Sequence, residues 1–288
     1  MYGAILGDIA GSKYEFSRPE KFDPWKVKIF SNDCCFTDDT VMTIATKYAV
    51  LKGVPYAKAY GVFGRKYPNV GYGTMFKRWI DSYCERGYNS YGNGSAMRVS
   101  FIGEHFDTLK KVEDEAQKSA LCTHNHPEGV KGAQVIAGCG YLAKNGASKK
   151  EIKSYVQKKF GYSLNKRLSF YRVFSRFDMS CQKSVPLALQ CFLESDSWEE
   201  CIRTAFSVRR DTDADRRIIA GGIADAYFSW YWSLDEDALL SAVFDAGPPT
   251  NLALWIPFCT RNDSKNPFES HKDRHEKIGA RDHGTCGI

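Results

Sequence analysis

Apolar residues recur at helical spacing along most of this chain, and strand-like alternation is nearly absent. Residues 40–52 place Val41, Ile44, Ala45, Tyr48 and Ala49 on one stripe. Residues 129–144 read as a buried helix through Val130, Ala133, Val135, Ile136, Ala137, Tyr141 and Leu142. Residues 148–160 read as a surface helix that turns Ile152, Tyr155, Val156 and Phe160 inward, and residues 109–121 are a charged amphipathic candidate. Further helices are predicted over residues 183–194, 197–207 and 216–229. Ser197 suits the N-cap of the second of these, with Glu199 and Glu200 in its first turn. Residues 3–15 are rich in small side chains (Gly3, Ala4, Gly7, Ala10, Gly11), which permit close helix approach. The pattern predicts an all-α, multi-helix fold in which a site forms where helix ends converge.

Composition removes several function classes. With 288 residues, 43% hydrophobic and 26% charged, the chain can bury a substantial core and is not disordered throughout. No run approaches the ~18 apolar residues of a membrane span. The short apolar run at the N-terminus is interrupted by Asp8 and does not read as a secretory leader. The net charge of +6 is spread in short clusters such as Lys149-Lys150 and Arg209-Arg210. A nucleic-acid partner is therefore disfavoured against a solvated basic surface or a site for a small anion. The ten cysteines show no Cys-x-x-Cys and no zinc spacing, and read as reduced thiols of a cytoplasmic protein.

Gly-rich or polar segments at residues 69–74, 89–95 and 123–129 interrupt the helical pattern, and loops on a rigid scaffold are where function tends to sit. Two acidic clusters each precede a helix: Thr37-Asp38-Asp39-Thr40 and Asp211-Thr212-Asp213-Ala214-Asp215. Either alone suits helix capping. A cap needs one side-chain oxygen, however, not two adjacent carboxylates beside a hydroxyl. If the two helix starts meet, four carboxylates share a small volume, and like charges that close call for a cation among them. Oxygen donors of this kind suit Mg²⁺, Mn²⁺ or Ca²⁺, and four acids can hold and bridge two ions. The pair His124 and His126 lacks a third nitrogen or sulfur ligand nearby, so hydrogen bonding within the loop is preferred over metal binding. Arg98 is expected to pair with a site carboxylate, a phosphate or a structural acid.

Five segments, in order, resemble the ADP-ribosylglycohydrolase family, which includes the dinitrogenase-reductase-activating glycohydrolases. They are Gly3 to Glu15 (GAILGDIAGSKYE), Phe36 to Met42 (FTDDTVM), Ser90 to Arg98 (SYGNGSAMR), Thr123 to Gly129 (THNHPEG), and Asp211 to Asp213 followed by Ile219 to Ala224 (IAGGIA). The resemblance covers roughly residues 1–228 and implies an all-α fold with a binuclear Mg²⁺ centre in a cleft. The implied activity is metal-dependent hydrolysis of the N- or O-glycosidic bond between ADP-ribose and an acceptor, releasing ADP-ribose. Thr37, Asp38 and Asp39 then match one half of the metal site, and Asp211 and Asp213 the other. Glu15 matches a glutamate near the metals, and Asp38 or Glu15 is the implied proton acceptor. The loop Asn89, Ser90, Tyr91, Gly92, Asn93 and Gly94 would hold the diphosphate and distal ribose through backbone N–H groups, and His124 would contact the ligand. The expected partner is ADP-ribose or an ADP-ribosylated protein, bound by a monomer.

Where the family reads Gly-Gly-Asp-Thr/Ser-Asp-Thr/Ser, this chain has Arg209, Arg210 and, after Asp213, Ala214. Ala214 supplies no hydroxyl, so the second ion is expected to bind weakly, with Mn²⁺ an acceptable substitute for Mg²⁺. A catalytically impaired protein that binds ADP-ribose or an ADP-ribosylated partner stands beside the enzyme reading. A metal-dependent hydrolase of another phosphate ester or nucleotide is the third. Because the motifs of one site run from Glu15 to Asp213, one domain is expected over residues 1–247. Residues 248–288, which open on Pro248-Pro249 and turn polar, are expected to be weakly packed or disordered.

Overall fold

The computed structural model describes residues 1–15, 19, 21–83, 86–174, 178–208 and 215–228. The expected segment 248–288, and residues Arg209 to Ala214, lie outside the described residues. Among those described, the chain is all-helical: α1 (Tyr2–Ser12), α2 (Asp38–Lys52), α3 (Tyr56–Lys66), α4 (Thr74–Asp81), α5 (Ser100–His105), α6 (Leu109–Leu121), α7 (Pro127–Lys144), α8 (Lys149–Phe160), α9 (Leu168–Phe174), α10 (Cys181–Leu193), α11 (Trp198–Ser207) and α12 (Asp215–Phe228). A 3₁₀ turn spans Asn93–Ser95. The single strand-like feature among the described residues is a bridge between Gly92 and Ser180.

The helix boundaries follow from local chemistry. Thr37, Thr108 and Ser197 each cap a helix by accepting a backbone N–H in its first turn. Ser148 and Glu151 form a reciprocal capping box at the start of α8. Gly53 and Gly161 end α2 and α8 at φ of 64° and 71°, the left-handed conformation that favours glycine. Pro127 opens α7 behind the N-cap His126, so this helix starts two residues before the predicted 129.

The core lies around α7 and α12. Val135, Ile136, Ile218, Ile219 and Ile223 are buried there, and α7 is flanked by α5, α6, α8 and α10. The most intimate pairing is α1 on α12, and the small residues of α1 permit it. A Cβ added at Gly3 would stand 2.6 Å from the Gly221 carbonyl oxygen, and one at Gly7 2.5 Å from that of Arg217. Trp198 of α11 is buried and donates its indole N–H to the Gly3 carbonyl at 3.2 Å, fixing a third helix on this pair.

The periodicity did not reveal α3, α4, α5 and α9. Gly61 and Gly64 dilute the apolar stripe of α3, yet a Cβ at Gly64 would stand 2.5 Å from Ile80 Cδ1, so glycine lets α4 seat against it. α4 also begins at Thr74, inside the segment read as a loop. α1 ends at Ser12, short of the predicted 15, which leaves Glu15 in the bend that follows.

Candidate functional site

The first half of the site is built by α1 and the start of α2. Asp8, in the middle of α1, is fully buried. Its carboxylate accepts four hydrogen bonds: from the Thr37 N–H (2.9 Å) and hydroxyl (2.7 Å), and from the Thr40 N–H (3.2 Å) and hydroxyl (2.5 Å). Burial pushes the Asp8 carboxyl up, while these four donors favour its charged form. The Thr37 hydroxyl therefore has its proton committed to Asp8. It accepts the Asp39 N–H at 3.3 Å, which is the capping role, and one lone pair remains. Beside it, Asp39 is buried and Asp38 half-buried.

The loop before α4 crosses this helix start. The Asp38 N–H donates to the Val70 carbonyl at 2.8 Å, and Gly71, at φ 99°, brings backbone beside the Asp38 carboxylate. Burial raises the Tyr72 phenol, and the Asp38 charge adds to that shift, so Tyr72 lies within electrostatic reach of Asp38. On the other side, partial burial raises the Cys35 thiol, with Asp8 and Glu15 pushing in the same direction. Glu15, half-buried in the bend after α1, is thus near the chain that leads into Thr37.

The second half is the loop carrying Asn89 to Gly94. It is clamped to the chain before α10: the Asn93 N–H donates to the Met179 carbonyl (2.7 Å) and the Cys181 N–H to the Tyr91 carbonyl (2.9 Å). The Asn93 amide donates to Ser184 at 3.0 Å, and Ser95 donates to the Gly129 carbonyl at 2.7 Å. Asn89 sits at φ 58° and gives its N–H to the Asn125 side chain, and Gly92 gives its N–H to Ser90 Oγ. Three N–H groups of the loop, those of Asn89, Gly92 and Asn93, are thereby taken by the protein. Those of Ser90, Tyr91 and Gly94 carry no hydrogen bond among the described residues.

His124 lies under this loop, 5% exposed. A Cβ added at Gly94 would stand 3.0 Å from His124 Nε2, and one at Gly92 3.6 Å, so the glycines make room for the ring. Burial, and then the Arg98 charge, hold His124 well below the usual imidazole range, so it is neutral at pH 7. Arg98 makes no ion pair among the described residues, contrary to expectation. It is 1% exposed, stacks over Tyr60 with its guanidinium carbon 4.1 Å from the ring centre, and donates to the Ser119 carbonyl and the Thr123 hydroxyl, each at 2.8 Å. His126 caps α7, its Nδ1 accepting the Glu128 N–H at 3.1 Å, which is the loop hydrogen bonding expected of it.

One helix joins the two halves. Thr43, a turn into α2, donates to the Asp39 carbonyl at 2.8 Å and lies 3.4 Å from the Met97 carbonyl that follows the loop. Thr37, Asp38 and Asp39 are therefore contiguous at one helix start, and Asn89 to Gly94 converge on His124. Asp211 and Asp213 lie outside the described residues, as does Ala214. Among the described residues no three His, Cys, Asp or Glu side chains are close enough to hold a metal by themselves. The donor set at α2 is nonetheless all oxygen, with a hydroxyl lone pair left beside two carboxylates, which fits part of a hard-cation shell. Sequence reasoning missed Asp8, Thr40 and Thr123. A lone acid inside the small-residue run of α1 was the available clue to the first.

No helix among the described residues is long and apolar enough to cross a membrane. Among known proteins, the ADP-ribosylhydrolase ARH3 of Mus musculus is 31% identical over 183 residues, which cover 52% of this chain and 50% of that protein. The Homo sapiens ARH3 is 30% identical over 185 residues, covering 52% and 50%. The matches span about half the length of these relatives. A solved structure described as an ADP-ribosylglycohydrolase-related protein complex shares the fold, with a TM-score of 0.60 at 17% identity, over 85% of this chain and 96% of that one. The ADP-ribosylglycohydrolase family model matches residues 1–231, and the chain belongs to that family.

Proposed function

We propose that this protein hydrolyses the glycosidic bond between ADP-ribose and an acceptor in a metal-dependent reaction. The observation that carries the reading is the α2 start, where the Thr37 hydroxyl donates its hydrogen bond to Asp8 and keeps a lone pair beside Asp38 and Asp39. Thr37, Asp38 and Asp39 would hold one Mg²⁺, and Asp211 and Asp213 would complete a second, weaker site that Mn²⁺ also fits. A bound cation of this kind supplies acidity to water and grip on ribose hydroxyls.

The chain's own groups do the rest. Asp38 or Glu15 accepts a proton from the attacking water. The water oxygen bonds to the anomeric carbon as the carbon–acceptor bond breaks, and the proton taken from the water is passed on to the departing acceptor, which restores the carboxylate. Asn89 to Gly94 orient the diphosphate and distal ribose, with the N–H groups of Ser90, Tyr91 and Gly94 still able to donate. His124 meets the ligand beneath them. Cys34, Cys35, Cys139 and Cys201 are free thiols, which supports a reducing, cytoplasmic setting.

Ala214 favours a second reading, in which the protein binds ADP-ribose or an ADP-ribosylated partner with little turnover. A panel of ADP-ribosylated substrates carrying Arg, Ser or nucleobase linkages, assayed with Mg²⁺, Mn²⁺ and EDTA, separates the two. Release of ADP-ribose that EDTA abolishes supports the hydrolase. Tight ADP-ribose binding without release on any substrate supports the binder. Release undiminished in EDTA after exhaustive dialysis overturns the metal assignment.

A further inference from the structure

Three side chains outside the proposed cation half form a buried hydrogen-bonded line: Arg98, Thr123 and His124. Arg98 Nη2 has two protons, one directed to the Ser119 carbonyl and one to Thr123 Oγ1, both at 2.8 Å. A guanidinium has no acceptor, so Thr123 must accept from it. Thr123 is fully buried, and among the described residues the remaining partner of its hydroxyl is His124 Nδ1, at 2.8 Å. The hydroxyl proton therefore goes to Nδ1. A neutral ring that accepts at Nδ1 carries its own proton at Nε2. That nitrogen points at the Cα faces of Gly92 and Gly94, and no protein acceptor meets it among the described residues.

We propose that Arg98, acting through Thr123, fixes His124 in the Nε2–H tautomer, so that this N–H is a donor reserved for an oxygen of bound ADP-ribose at the Gly92–Gly94 turn. The ligand half of this inference rests on the proposed function; the tautomer half does not. Arg98 and Thr123 are positioning residues. The opposite tautomer would put N–H at Nδ1 against a hydroxyl whose own proton then has no acceptor, in a site closed to water. It would also present the ligand with a lone pair, which repels phosphate and carbonyl oxygens alike. The low proton affinity that burial and Arg98 impose on the ring keeps it neutral, and only a neutral ring has a tautomer to select. Tyr88 packs beside the ring, its centre 5.8 Å from that of His124.

The test is long-range ¹H–¹⁵N correlation NMR on the full chain labelled at histidine, with the His124 signals identified by their loss in His124→Gln. The wild type, free of ligand, should show the Nε2–H pattern. Thr123→Val keeps the shape and removes the relay; it should give a mixed or Nδ1–H pattern and weaken ADP-ribose binding about tenfold in calorimetry. Thr123→Ser, which keeps the hydroxyl, should restore both. An Nδ1–H pattern in the wild type overturns the proposal, and so does Thr123→Val with an unchanged tautomer and unchanged affinity. If Thr123→Val fails to fold, the wild-type and Thr123→Ser spectra still decide the tautomer. A wild type with the Nε2–H pattern that binds no ADP-ribose sinks the proposed function and the ligand half with it, and leaves the relay standing.

Discussion

The two halves of the site are built from opposite materials. At the α1–α2 corner, a buried carboxylate, Asp8, accepts four hydrogen bonds from Thr37 and Thr40, and the groups beside it are acceptors: a Thr37 lone pair, the half-buried Asp38 and the buried Asp39. At the loop corner, a buried cation, Arg98, donates to two acceptors, and what the glycines meet is a neutral nitrogen, beside backbone N–H groups that carry no hydrogen bond among the described residues. In each half the buried charge orients a hydroxyl (Thr37 or Thr123), and that hydroxyl decides the polarity the site presents. The proposed function, which sets a cation beside a diphosphate, calls for this division, because a mixed lining would satisfy itself.

The hardest blow to the acceptor half is Asp38→Asn. It keeps shape and removes charge from a half-buried position, so helical circular dichroism should be unchanged. ADP-ribose release should fall about 10²-fold or more, the range for loss of a general base, with loss of a cation contact adding to it. Release within a few-fold of wild type would remove Asp38 from the reaction. Asp8→Ala should act on stability instead. It strands the N–H groups of Thr37 and Thr40, with a desolvation penalty of about 1–3 kcal/mol per buried unsatisfied group. We expect a loss of about 2–4 kcal/mol in urea unfolding. A loss below about 0.5 kcal/mol, the scale of an ordinary surface change, would mean that the α2 start does not depend on Asp8.

How much of this contrast the sequence displayed depends on the distance between partners. The all-α class and the caps at Thr37 and Ser197 are readable because their determinants lie within one turn. The Thr37-Asp38-Asp39 run was readable because its excess carboxylates are adjacent. Asp8 was not, since its partners lie 29 and 32 residues away and a single acid in a helix has no spacing to report. Arg98 is expected to pair with an acid or a phosphate; among the described residues its guanidinium lies instead over the Tyr60 ring, in α3, which the periodicity did not reveal.

Gly94→Ala probes the donor half on a smaller scale. Gly94 is not among the residues at positive φ, so the backbone admits a side chain and the obstacle is the His124 ring at 3.0 Å. The ring must give by a few tenths of an ångström. ADP-ribose affinity should drop about tenfold, while unfolding free energy changes by less than about 1 kcal/mol. Equal affinity in the two proteins would reduce the loop to a turn.

The smallest expected effect is a pH dependence that separates the halves without touching the proposed cation ligands. His124 is held below its unfolded value by burial and then by the Arg98 charge, with Tyr88 facing it as a neutral phenol. A group whose folded pKa is lowered binds fewer protons folded than unfolded, so its stabilising contribution is present at high pH. That contribution is lost as pH falls below the unfolded value of about 6.5. One such histidine gives a slope approaching about 1.4 kcal/mol per pH unit. His105, also lowered by burial, titrates in wild type and variant alike, so the difference between them isolates His124. Urea unfolding at about pH 7.5 and about pH 5.5, either side of the unfolded imidazole value, should show wild type losing about 1 kcal/mol more than His124→Gln does. Parallel losses in the two proteins would mean that His124 is protonated as readily folded as unfolded. The loop would then present a cation to the diphosphate, and the contrast between a charged acceptor half and a neutral donor half would fail.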